Sequence, residues 1–156
     1  MNAFLNYHNL DDNFHAYNVA LSDENSINKM YIKKFGGGTH EKILGNSKTR
    51  DGSEIFSAEY TQSIITLTMD QFCVMSKFTP TDIKIDVDGA ELRLISGMKK
   101  TLSNPNLKRI FIEVSEAEKS SKEALKIILD YGFKMYKKNR VQNYFTEFNY
   151  TLHRAE

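Results

Sequence analysis

Asp82-Ile83-Lys84-Ile85-Asp86-Val87-Asp88-Gly89-Ala90-Glu91 is the stretch that decides the fold. Ile83, Ile85 and Val87 are β-branched and suit a buried strand. Asp86 and Asp88 fall where that strand runs out, and Gly89 allows a sharp turn. The apolar spacing of Leu94, Ile95, Met98 and Leu102 then predicts one helix from Glu91 to Leu102. Strand, acidic tip, turn and helix are half of an α/β unit. In such sheets ligands lie outside the carboxyl ends of the strands. Asp86 and Asp88 are therefore the first candidates for chemistry.

Working outward, Asn104-Pro105 ends the helix, and Arg109–Val114 reads as the next buried strand with Glu113 near its end. Ser120-Ser121-Lys122-Glu123 has the form of a capping box before a helix lined by Ala124, Ile127, Ile128 and Tyr131. Gly132 suits its C-terminal cap. Phe133–Lys137 reads as a strand, Asn139-Arg140 as a turn, and Tyr144–Leu152 as a last strand or strand pair. Upstream, His15–Leu21, Ile27–Lys34 and Glu59–Leu67 read as strands. Thr68-Met69-Asp70-Gln71 is a second capping box, opening a short helix through Phe72 to Met75. Met1–Leu10 resembles the tail of a helix, and residues 36–58 a long flexible loop. Gly36-Gly37-Gly38 reads as a hinge, because no Gly-Lys-Ser/Thr follows it to cradle phosphate. The expected class is α/β, a mostly parallel sheet with right-handed crossovers and an antiparallel edge made by the last strands.

A chain of 156 residues fits one domain with a substantial core. A hydrophobic share of 40% and a charged share of 26% are those of a soluble protein. A net charge of +1 gives no nucleic-acid footprint. Cys73 is the single cysteine and cannot form an internal disulfide, which points to a reducing, cytoplasmic setting. No apolar run approaches the roughly 18 residues of a membrane span, and no signal peptide is visible. His8, His15, His40 and His153 lack metal-ligand spacing, so no metal is expected.

Three chemistries fit an Asp-Val-Asp-Gly tip. One is the nucleophile loop of haloacid-dehalogenase-like phosphatases, where one carboxylate attacks phosphorus and the next acts as acid or base with a metal between them. That loop usually continues with Thr or Ser near the start of its domain, whereas Ala90-Glu91 follows here. Another is the Asp-x-Asp metal clamp of nucleotide-sugar glycosyltransferases. The third is a methyltransferase strand tip, where an acidic residue orients the acceptor or the cofactor's ammonium group.

Lys84-Ile85-Asp86-Val87-Asp88-Gly89-Ala90-Glu91, followed by Leu94-Ile95-Ser96-Gly97, resembles the signature of FkbM-type methyltransferases. That signature reads Lys-Ile-Asp-Val-Glu-Gly-x-Glu with Leu-x-Gly shortly after, so Asp88 stands in place of the usual Glu. Asn18-Val19-Ala20-Leu21-Ser22-Asp23 resembles the family's Ala-Leu-Ser segment. Ile65-Thr66-Leu67-Thr68-Met69-Asp70 and Ile110-Phe111-Ile112-Glu113-Val114 resemble later elements. Tyr131-Gly132-Phe133 and Asn143-Tyr144-Phe145 resemble the closing ones.

The resemblance implies a Rossmann-like class I sheet and methyl transfer from S-adenosylmethionine to a hydroxyl of a sugar, glycan or small metabolite. It implies that Ala20, Leu21 and Ser22 border the adenine and that Asp86 faces the methyl-transfer site. Asp88, Glu91 and Glu113 would line or brace an acidic pocket. The family's upstream Asp-x-Gly-Ala-Asn-x-Gly loop and the acidic strand end after it have no counterpart in the sequence. The expectation is thus an N-terminally incomplete domain over residues 1–156, lacking its first strands. The exposed sheet flank would be covered by a homodimer or a partner chain. A non-catalytic remnant that binds or assembles is the alternative reading.

Overall fold

The computed structural model describes residues 14–32, 42–44 and 58–155. The expectations for Met1–Leu10, for Lys33-Lys34 and for most of 36–58 lie outside these residues, as do His8 and His40. The described elements are β1 (Ala20–Leu21), β2 (Ser26–Ile32), β3 (Lys42–Leu44), β4 (Tyr60–Leu67), α1 (Met69–Ser76) and β5 (Asp82–Ile85). They continue with α2 (Glu91–Ser96), α3 (Lys99–Ser103), β6 (Arg109–Ser115), α4 (Lys119–Asp130), β7 (Phe133–Arg140) and β8 (Glu147–Arg154).

The strands form two four-stranded sheets, ordered β1-β4-β2-β3 and β5-β6-β8-β7. The class is α/β as expected, but both sheets are mixed rather than mostly parallel. β1–β4 and β5–β6 are the parallel pairs, while β2–β3, β2–β4, β6–β8 and β7–β8 are antiparallel. The C-terminal hairpin explains much of this. β8 inserts between β6 and β7 and runs against both.

Among the described residues the β5-β6-β8-β7 sheet has one covered face. Ile85 aligns with Ile112 and Ile110 with Leu152, and all four are buried with Ile95, Met98, Leu102 and Ile128 of the helical layer. α4 packs on β6, β7 and α2. The other face carries Asp82, Lys84, Arg109 and Phe111, all exposed. A sheet with antiparallel members tolerates one wet face, and this alternation is what the period of two along a strand produces.

Several local readings hold. Thr68 caps α1, its Oγ1 accepting the Gln71 N–H at 3.1 Å. Gly132 has φ 87°, and its N–H donates to the Leu129 carbonyl at 2.9 Å, closing α4. Others are corrected. The predicted helix Glu91–Leu102 is two helices, broken at Gly97-Met98. A Cβ on Gly97 would meet the Ser22 carbonyl oxygen at 2.0 Å, so close tertiary packing sets the break where the apolar stripe gives no sign of it. α4 begins at Lys119 after Glu118, so the Ser120 capping box is not used. The turn expected at Asn139-Arg140 lies beyond β7. Tyr144 N–H donates to the Val141 carbonyl at 3.2 Å, and Asn143 takes the left-handed conformation at φ 69°. His15–Leu21 is strand only at Ala20–Leu21.

Two polar side chains tie the helical layer together. Asp70 accepts the Lys100 N–H at 2.9 Å, the Thr101 N–H at 2.8 Å and the Thr101 hydroxyl at 2.7 Å. It thereby caps α3, which has no side-chain cap of its own. Arg154 donates to the carbonyls of Leu107, Leu102 and Asn104 at 2.8, 2.7 and 3.0 Å and lies over the Phe133 ring at 4.4 Å.

Candidate functional site

β5 and β6 run parallel with Ile85 opposite Ile112. Asp86 leaves β5 one residue after that pair, and Glu113 follows on β6 on the same, uncovered side. Lys84, also on that side, donates to the Asp86 carboxylate at 2.7 Å. The neighbouring Asp86 carboxylate lifts the Lys84 ammonium above its usual range, and the charge of Glu113 adds to this. Two acids and a lysine thus meet at the carboxyl ends of adjacent parallel strands. Asp86 is exposed and Glu113 half-buried.

Asp88 is exposed on the turn beyond them. Gly89 holds that turn with φ 77°, a conformation that favours glycine. Its N–H donates to the Val87 carbonyl and to Glu91 Oε1, both at 3.1 Å. Glu91 is fully buried, and its Oε2 accepts the Ser121 hydroxyl of α4 at 3.1 Å. Glu91 therefore clamps the acidic turn to the helical layer, as a brace rather than a pocket wall. Ser121 escapes sequence reading because its partner lies 30 residues upstream.

The segment Ala20-Leu21-Ser22 sits apart from this tip. Ala20 and Leu21 are half-buried and pair with Thr66 and Leu67. Ser22 is fully buried. Its N–H donates to the Leu67 carbonyl at 2.9 Å and its hydroxyl to Asp23 at 2.8 Å. Arg93 of α2 donates to Asp23 at 2.9 Å. Burial pushes the Asp23 carboxyl up, but the Ser22 and Arg93 donors outweigh it and hold it below the usual carboxylate range. The structure joins this segment to the acidic tip through α2, the helix that opens directly after Gly89 and carries both Glu91 and Arg93.

A further group at the same end is Glu116, just past β6. It accepts the Lys138 ammonium at 2.6 Å and the Tyr150 hydroxyl at 2.5 Å. Lys138 also lies 4.0 Å over the Phe148 ring. The Lys138 and Tyr150 donors, in that order, hold the Glu116 carboxyl below its usual range. Its place beyond a predicted strand end was the available sequence signal.

The family model described as "Methyltransferase FkbM domain" matches residues 2–135. The chain belongs to the FkbM methyltransferase family. No curated protein and no solved structure matches it. In this FkbM domain the Lys84–Glu91 signature has a physical reading. Lys84 and Asp86 pair on the open side, Gly89 makes the turn, and Glu91 turns inward to hold it. Among the described residues no group of three or more His, Cys, Asp or Glu could hold a metal ion. No helix among them is long and apolar enough to cross a membrane.

Proposed function

We propose that this FkbM domain serves S-adenosylmethionine-dependent methyl transfer to a hydroxyl of a sugar, glycan or small metabolite. The observation that carries the reading is the meeting of Lys84, Asp86 and Glu113 at the carboxyl ends of β5 and β6 in a chain of this family. In open α/β sheets that is the ligand side, and the finer reading of the sheet is a Rossmann-like methyltransferase arrangement.

The residues suit the cofactor in part. Carboxylates at Asp86 and Glu113 suit a cationic ligand, and Ala20 and Leu21 offer an apolar edge to an adenine. The Ser22 hydroxyl is spent on Asp23, so Ser22 would contribute packing only. S-adenosylmethionine supplies an electrophilic methyl group when bound. The chain's own part is to orient the acceptor. Asp86 would hold the acceptor hydroxyl and take its proton, with Lys84 positioning the carboxylate and Asp88 and Glu113 flanking it.

The partner expectation belongs to the same proposal. Among the described residues β5 pairs only with β6, so its outer edge offers unpaired backbone groups. A second copy or a partner chain covering that edge would complete the cofactor side. The same open edge favours, as a second reading, a non-catalytic assembly module.

Calorimetric titration of the chain with S-adenosylmethionine is the test, alone and after size-exclusion analysis of its oligomers. Saturable heat together with transfer of labelled methyl to a hydroxylated acceptor supports the enzyme reading. A folded chain giving neither heat nor thermal shift at high cofactor would sink the chain as an autonomous enzyme.

A further inference from the structure

At the opposite end of the same sheet face, Asp82, Arg109, His153 and Lys134 form one row across four strands. Asp82 aligns with Arg109, Arg109 with His153, and His153 with Lys134. The row borders a cleft of about 530 Å³ lined by Asp82, Lys108, Arg109, His153, Arg154 and Ala155. That volume lies within the range of small-molecule sites.

The charges in the lining do not balance. Among the described residues Asp82 is its one carboxylate, and it is paired with Arg109. Lys108 is exposed beside it. Arg154 borders the cleft too, but its guanidinium is turned to the Leu107, Leu102 and Asn104 carbonyls and the Phe133 ring, so its charge is spent there. Among the described residues two permanent cations, Lys108 and Arg109, therefore stand at the cleft against one carboxylate, with Lys134 further along the row. Tyr136, at the bulge in β7, stacks on His153 at 4.3 Å with an interplanar angle of 7° and adds a flat aromatic flank.

We infer that this cleft binds a small soluble molecule through a phosphate monoester. A dianion suits one arginine fork and one lysine point charge better than a single carboxylate would. Binding would draw Arg109 from Asp82, so Asp82 acts as the competing internal anion. The site lies at the amino-terminal ends of β5 and β6, away from the acidic tip, and does not rest on the methyl-transfer reading.

Titration of inorganic phosphate into the full chain, with sodium chloride holding ionic strength constant, tests this. Saturable binding is expected, about tenfold weaker in Arg109→Ala and in Lys108→Ala. Asp82→Asn should bind more tightly, because the competing carboxylate is gone. Lys126→Ala on α4, outside the lining, should match the parent chain. All these side chains are exposed, and circular dichroism checks each fold. Phosphate acting no differently from chloride, an unchanged affinity in Arg109→Ala, or weaker binding in Asp82→Asn would each overturn the inference.

Discussion

The carbonyl oxygen of Ser22 lies 2.0 Å from the point that a Cβ on Gly97 would occupy. Gly97 has φ −87°, so the demand for glycine comes from close approach and not from backbone conformation. The contact packs the Ala20-Leu21-Ser22 segment on the break between α2 and α3. Gly97→Ala must push two backbones apart in a site that is already buried. A cost of about 1–3 kcal/mol is expected, measured by urea unfolding. A variant as stable as the parent would show that this approach is not held in solution.

Asp70 gives a second test of the same layer. It accepts two N–H groups and one hydroxyl at the start of α3. Asp70→Ala leaves all three without that acceptor, and a loss of about 1–2 kcal/mol is expected. Asp70→Asn keeps one acceptor oxygen and should lose less. Equal losses in the two variants would count against capping as the cause.

How much of this was legible follows from where each signal lies. Thr68 and Gly132 act within a few residues of themselves, and the sequence shows both. The strand, turn and helix around Asp86–Glu91 are local too, which is why the tip could be placed in advance. The helix break at Gly97 is set by Ser22, far upstream in the chain, while the stripe Leu94, Ile95, Met98, Leu102 runs through it unbroken. Ser121 looked like part of a local cap, but its hydroxyl is taken by Glu91. At the site, the side-by-side arrangement of Asp86 and Glu113 needed only parallel pairing. The inward turn of Glu91 and the burial of Ser22 needed the tertiary structure.

Glu91 yields a prediction in which shape and charge separate. Its two oxygens accept from Gly89 and Ser121 in a fully buried setting. Glu91→Gln keeps one acceptor oxygen for Gly89, and Ser121 can accept from the new amide. Glu91→Leu takes the acceptor from the Ser121 hydroxyl and leaves the Gly89 N–H with the Val87 carbonyl alone. The expected costs are under about 1 kcal/mol for Gln and about 2–4 kcal/mol for Leu, read from denaturant midpoints. Hydrogen exchange at the Gly89 amide should quicken in the Leu variant. An unaltered Gly89 rate there would show that Glu91 does not hold the turn.

The Glu116 group predicts an acid-dependent stability. Its carboxyl is held below the usual glutamate range, first by Lys138 and then by Tyr150. A depressed folded value means that the unfolded chain takes up the proton more readily. The stabilisation is therefore present above the ordinary glutamate range and is lost as pH falls through the depressed value. Urea midpoints followed from neutral to acid pH should fall less steeply in Glu116→Gln than in the parent. Parallel curves would remove Glu116 from the acid response.

Asp86 tests the proposed chemistry itself. It is exposed, and its visible partner is the exposed Lys84, so Asp86→Asn breaks a surface pair worth about 0–1 kcal/mol. The fold should survive. Asparagine is nearly the same size but cannot take a proton from an acceptor hydroxyl or balance Lys84. In the assembly that proves active, methyl transfer should fall by about 10²–10⁴-fold, the range for removing a positioned acid or base. Lys84→Ala leaves the carboxylate in place and removes only the partner that positions it, so activity should fall less. The two readouts are labelled-methyl transfer and the urea midpoint of each variant. Parent-level activity in Asp86→Asn would take Asp86 out of the mechanism. A collapsed midpoint would instead make the tip a structural element, with Glu113 left as the acid nearest the acceptor.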